Sequence, residues 1–121
     1  MPLILVIDDS PTEVFVIRRA LEQHGYQTAA AADGAEGFRL AKSMKPDLIF
    51  MDIVMPGVNG FQATRQLAKD PETAAIPVVM VTSKDQDTDR IWGMRQGAID
   101  YLVKPVTPQA LVAKAQSVLA H

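Results

Sequence analysis

Five residues carry the chemistry open to this sequence: Asp8, Asp9, Asp52, Thr82 and Lys104. Asp8 and Asp9 follow the apolar run LILVI, Asp52 follows LIFM, Thr82 and Ser83 follow IPVVMV, and Lys104 closes IDYLV. Taken singly, each has an ordinary use as a helix cap, a turn residue or a solvated charge. Taken together they are three carboxylates, a hydroxyl and an ammonium at the ends of four apolar runs. Three carboxylates at close quarters cannot all stay ionised without a cation, and an all-oxygen cluster suits a hard divalent ion, magnesium or manganese. Such an ion takes only one or two carboxylates directly and keeps positions for water or a phosphoryl oxygen. Lysine and threonine are then donors for the remaining phosphoryl oxygens, and a carboxylate can act as nucleophile, forming an aspartyl phosphate.

These residues meet only if the apolar runs are parallel strands whose carboxyl ends lie along one sheet edge, where open α/β sheets bind ligands. The pattern predicts that arrangement. Five runs, Leu3 to Ile7, Tyr26 to Ala30, Asp47 to Met51, Ile76 to Val81 and Ile99 to Val103, alternate with stretches of helical length. Three of the runs are almost wholly hydrophobic, as strands covered on both faces are. The helices show their starts. Ser10, Pro11 and Glu13 form a capping signal ahead of Val14, Ile17 and Leu21, and Gly25 marks the end. Asp33 caps the second helix, with Phe38, Leu40 and Ala41 inward and Pro46 beyond its end. The third runs from about Asn59 to Lys69. The fourth begins within KDQDTDR and stops at Gly97, and TPQA opens a fifth carrying Leu111, Val112, Ala115, Val118 and Leu119. The alanines of YQTAA make the second strand the weakest, which suits an edge position.

The remaining bulk properties narrow the class. One domain fits 121 residues, spanning 1–121 with no output domain expected. Twelve basic against fourteen acidic residues, net −2, argue against nucleic-acid binding through broad phosphate neutralisation. With no cysteine, no basic leader and no apolar run near the ~20 residues needed to span a bilayer, no membrane insertion and a cytoplasmic location are the expectation. His24 and His121 have no ligand partners in the sequence and read as solvated.

The motifs VIDDSP, DLIFMDIVMPGVNG, VVMVTS and GAIDYLVKP, in this order and spacing, resemble the receiver domain of two-component response regulators, the CheY-like family. The resemblance covers nearly the whole chain. It implies a flavodoxin-like, doubly wound five-stranded parallel sheet in the order 2-1-3-4-5. It also implies that Asp52 is phosphorylated by a sensor histidine kinase, that Asp8 and Asp9 organise the metal, and that the backbone carbonyl of Val54 is a further ligand. By the same likeness Thr82 is the switch hydroxyl, Lys104 the phosphate-pairing lysine with a cis bond to Pro105, and Tyr101 the switch aromatic. Tyr101 is expected to turn inward as Thr82 moves toward a phosphoryl group, remodelling the surface of the fourth helix, fifth strand and fifth helix.

The run DRIWGMRQGAIDYLVKP most resembles the single-domain receivers of type IV pilus, twitching-motility chemosensory systems. That likeness implies a downstream motor or regulator protein as partner and a monomer or weak dimer. The alternative is a phosphate sink that drains a shared kinase with no effector. Other phosphate-handling classes fit less well: no Gly-rich loop follows the first strand, and a haloacid-dehalogenase-type phosphohydrolase wants Asp-x-Asp where this chain has Asp8-Asp9. Where the family often has Asp, Asn59 stands in the loop and is expected to be neutral for chemistry. Ser83 replaces a small alanine. Val54 and Lys84 occupy positions that tune hydrolysis; an apolar Val54 cannot orient water, so slow autodephosphorylation is expected. Trp92 is expected at the edge of the core, one residue from a core face of Ile91 and Met94, with a half-exposed partner contact as the alternative.

Overall fold

A computed structural model describes residues 1–120; His121 lies outside the described residues. The chain alternates β1 (Leu3–Ile7), α1 (Pro11–Glu22), β2 (Gln27–Ala31), α2 (Gly34–Met44), β3 (Leu48–Met51), α3 (Gly60–Lys69), β4 (Val78–Thr82), α4 (Asp87–Gln96), β5 (Asp100–Val103) and α5 (Pro108–Leu119). All strand pairs are parallel, in the order β2-β1-β3-β4-β5. The register sets the last residues of neighbouring strands level: Ile7 pairs with Ala31 and Met51, and Thr82 with Val103. Whatever follows those residues is therefore delivered to one edge.

The sheet is buried on both faces. Leu5, Ile7, Ile49, Met51, Val78 and Met80 pack toward α2, α3 and α4, while Ile4, Val6, Leu48, Phe50, Val79 and Val81 meet α1 and α5 through Ile17, Leu21, Leu111 and Ala115. This two-sided covering explains the near-continuous apolar runs. Helix starts fall where the capping chemistry puts them. Ser10, Asp33, Asn59 and Thr107 accept from the backbone N–H three residues on, and Pro stands in the first turn of α1 and α5. Gly97, at φ 120°, ends α4.

Several expectations shift. Strand β2 begins at Gln27 and is an edge strand; β4 spans Val78–Thr82, so Thr82 is still in the sheet, and β5 starts at Asp100, one residue after an exposed Ile99. His24 is exposed, and its Nδ1 donates to the Ala20 carbonyl at 3.1 Å, helping to close α1. The largest difference concerns α4. Its buried residues are Gly93 and Gln96, whereas Ile91, Trp92 and Met94 are 54, 49 and 46% exposed. The expected core face of Ile91 and Met94 is thus turned outward, and Trp92 is half-exposed. The physical reason is close packing at Gly93. A Cβ there would already be in van der Waals contact, 3.6 Å from Met80, Phe61 and Tyr101, so the small residue faces the sheet and the large ones face away. No helix among the described residues is long and apolar enough to cross a membrane.

Candidate functional site

Asp8 leaves the end of β1 with its N–H donating to the Ala31 carbonyl, so the β1–β2 ladder itself fixes its backbone. Its carboxylate is buried and Oδ1 accepts the Ser10 N–H at 2.9 Å. Asp9, next in the chain, is exposed. One strand over, the Asp52 N–H donates to the Ile7 carbonyl, and its own Oδ1 accepts the Ile53 N–H at 2.8 Å. Carboxylate oxygens of Asp8, Asp9 and Asp52 all lie within 4.8 Å of one another.

Lys104 enters from β5, where its N–H donates to the Thr82 carbonyl, and its peptide bond to Pro105 is cis. The ammonium reaches Asp8 Oδ2 at 2.8 Å and Asp52 Oδ2 at 3.6 Å. Thr82 is fully buried at the adjacent strand end, and the Lys84 N–H reaches its hydroxyl at 3.5 Å. All five residues singled out in the sequence therefore converge on one edge of the sheet, around β1, β3, β4 and β5.

The electrostatics show what the cluster lacks. Burial pushes the Asp52 carboxyl above the usual carboxylate range; Lys104 opposes this and Asp8 adds to it. Burial also pulls the Lys104 ammonium down, but its bond to Asp8 and the charges of Asp52 and Asp8 outweigh this and hold it above the ordinary lysine value. One ammonium thus faces three carboxylates. A set of hard, anionic oxygens with an uncompensated negative charge fits a divalent cation of the magnesium class. Asp8 and Asp9 also line a cleft of about 270 Å³, with Pro11, Val14 and Glu36, that opens beside the cluster.

Beyond Asp52 the chain makes a tight loop. Val54 stands there 58% exposed, an apolar residue open to solvent on one side. Gly60, at the start of α3, presses against this loop: a Cβ on it would fall 2.0 Å from the Asp52 carbonyl oxygen, and its N–H donates to the Ile53 carbonyl at 2.8 Å. The sequence reading missed Gly60 as a positioning residue, and its only signal was the second glycine of PGVNG. Asn59, expected to be neutral, forms a capping box with Gln62 and so anchors the same loop.

Tyr101 differs from expectation. Its ring is already inward, 4% exposed, and its hydroxyl donates to the Lys84 carbonyl at 2.7 Å. The space comes from Gly93 on α4, and the Arg90 guanidinium covers the ring at 5.1 Å. Ser83 is exposed and does not cap the cluster.

Comparison with known proteins agrees with this geometry. Residues 4–116 match the family model described as the response regulator receiver domain. The chain is 58% identical over 120 residues to protein PilH of Pseudomonas aeruginosa, covering 99% of each. It is 41% identical over 119 residues to the DNA-binding dual master transcriptional regulator RpaA of Synechocystis sp., covering 98% of this chain and 49% of RpaA. In structure it matches the chemotaxis protein CheY4 of Vibrio cholerae with a TM-score of 0.93 at 30% identity, covering 98% of this chain and 99% of that one. A parallel sheet in the order 2-1-3-4-5, an acidic trio at its carboxyl edge and a full-length family match converge on one conclusion: this chain belongs to the response regulator receiver domain family.

Proposed function

We propose that the chain is a cytoplasmic phosphorylation switch in which Asp52 accepts a phosphoryl group from the phosphohistidine of a sensor histidine kinase. The observation that carries this reading is the placement of Asp52: a buried carboxylate, its Oδ1 held by the Ile53 N–H, with a lysine ammonium on its other oxygen and two more carboxylates beside it. In the transfer the Asp52 carboxylate attacks phosphorus, the bond from phosphorus to the imidazole nitrogen breaks, and the released histidine keeps the electron pair and takes a proton from solvent. Lys104 supplies a cation already within 3.6 Å of Asp52 to receive an equatorial oxygen, and the Thr82 hydroxyl donates to another. A divalent ion held by Asp8, Asp9, Asp52 and the Val54 carbonyl would, when bound, neutralise charge on the transferring group.

Tyr101 and α4 make up the readout. The new dianionic group competes for Thr82 and Lys104, and the hydroxyl's shift alters the loop that carries Lys84, whose carbonyl holds Tyr101. The surface of α4, β5 and α5 then presents itself to a downstream motor or regulator protein. The 58% identity to PilH and the pilus-type motif support an assignment to a pilus chemosensory pathway.

The test is phosphorylation of the purified chain by acetyl phosphate, or its modification by beryllofluoride, with and without magnesium, read by intact mass and Trp92 fluorescence beside Asp52→Ala. Magnesium-dependent modification lost in the variant is expected. A folded protein that is not modified overturns the reading. Capture of a partner only in the beryllofluoride state supports the switch, and capture of no protein other than the kinase in either state argues for a phosphate sink.

A further inference from the structure

Three groups hold Tyr101 inward, and none belongs to the cluster at the sheet edge. The hydroxyl donates to the Lys84 carbonyl at 2.7 Å. Gly93 of α4 lies against the ring, where a Cβ on it would sit 3.6 Å from Tyr101 Cδ2. Arg90, three residues earlier and so on the same helical face, lays its guanidinium over the ring, 5.1 Å from the centroid. The first two contribute no side chain, which leaves Arg90 as the one side chain of the three. Its placement has no other ready cause. A helix dipole favours cations in the last turn, and Arg90 is the fourth residue of α4. Asp87, three residues before it, is the natural ion-pair partner along the helix, yet among the described residues Arg90 forms no ion pair. The side chain forgoes that neighbour and covers the aromatic ring. Helix α4 is otherwise lightly held: its N-cap Gln86 makes no side-chain bond and only Gly93 and Gln96 are buried, whereas a side chain caps the start of α1, α2, α3 and α5.

We propose that Arg90 is a positioning residue that latches Tyr101 in its inward rotamer. A cation over an aromatic face at an exposed site shifts an equilibrium about two- to fivefold. The outward rotamer gives up this contact together with the Lys84 bond, so Arg90 sets how often the ring turns out. The contact also reaches from α4 to β5, and whatever moves the helix therefore lifts the latch. The consequence for signalling rests on the phosphorylation reading of Asp52. A phosphoryl group there meets a ring that is already latched, and acts on it through the loop at Lys84 rather than by opening room for it at Thr82.

The test is nitration of the full chain by tetranitromethane, without magnesium or phosphodonor and at low conversion, with the modified tyrosine located by peptide mass. Tyr26, the other tyrosine of the chain, is the internal reference. Tyr101 of the wild type is expected to react more slowly than Tyr26. Arg90→Met should speed the reaction of Tyr101 about two- to fivefold and leave Tyr26 unchanged. Arg90→Lys, which keeps a cation on a flexible stem, should restore most of the protection. Such a gain reports exposure of the ring. Burial raises the Tyr101 phenol and Arg90 opposes that rise, so removing the guanidinium by itself makes the reactive phenolate scarcer. Melting curves of both variants verify the fold. One nitration rate for Tyr101 in wild type and variants overturns the proposal, as does a wild-type Tyr101 no slower than Tyr26. Acceleration at both tyrosines marks a loosened fold rather than a latch and overturns it too. Every arm uses protein unmodified at Asp52, so a failure of the latch and a failure of phosphotransfer are read separately.

Discussion

The Lys104 ammonium is hydrogen-bonded to Asp8 at 2.8 Å, closer than the 3.6 Å that separates it from Asp52. The resting lysine is therefore committed to a residue proposed to hold the metal, and it must change partner when a phosphoryl group arrives. Metal and lysine compete for the same carboxylate.

That competition gives Lys104→Met two effects of opposite sign. Magnesium binding, followed by Trp92 fluorescence or calorimetry, should tighten about three- to tenfold because a cation beside the cluster is gone. Beryllofluoride binding should weaken, because the donor for its fluorine atoms is lost. Loss of both affinities would mean that Lys104 only supports the fold.

Asp52→Asn should stabilise the metal-free protein, raising its melting temperature by about 2–5 °C. Burial and Asp8 hold the folded-state pKa of Asp52 above its unfolded value, so the ionised carboxylate is a cost near neutrality. The folded state binds this proton more readily than the unfolded one. The cost is therefore absent below the ordinary carboxylate value and is incurred as pH rises through the raised one. The stability difference between variant and wild type should grow over that interval, while added magnesium stabilises the wild type more than the variant. Equal melting temperatures at neutral pH without metal would contradict this.

Tyr101 follows the same sign at the other end of the scale. Burial, with Asp89 adding to it, pushes its phenol up to about 12. Between pH 10 and about 12 the unfolded chain has lost this proton and the folded chain keeps it, so folding stability should fall across that window. Tyr101→Phe should remove that slope. It also removes the bond to the Lys84 carbonyl, costing about 0.5–1.5 kcal/mol at neutral pH. Denaturant unfolding at a series of alkaline pH values checks both effects.

Gly60→Ala should cost about 2 kcal/mol or more, since the added methyl has to displace the Asp52 carbonyl or the start of α3. Because that loop carries Asp52 and Val54, magnesium affinity should fall as well. An alanine variant that melts like the wild type and binds magnesium normally would show that the close approach relaxes freely.

Val54→Asn places a polar side chain where an exposed apolar one now stands beside the proposed phosphoacceptor. The acyl-phosphate lifetime, measured by loss of the modified mass, should shorten several-fold with little change in stability. An unchanged lifetime would show that water is positioned from elsewhere.

The sequence by itself determined the layered architecture, because apolar runs and capped amphipathic stretches have separate periods that local chemistry enforces. Asp8, Asp9, Asp52, Thr82 and Lys104 were legible for the same reason: each ends a strand, and parallel strands deliver their ends to one edge. The tertiary structure alone decided what depends on distances between elements. That the Lys104 ammonium prefers Asp8, that Gly60 lies against the Asp52 carbonyl, and that Tyr101 is already inward beneath Arg90 follow from packing across strands and helices far apart in sequence. The orientation of α4 belongs here too. Its sequence offers apolar residues in too many directions to define an inward face, and the close approach of Gly93 to Met80, Phe61 and Tyr101, which leaves room for little beyond a methyl, goes with the side that turned Ile91, Trp92 and Met94 outward.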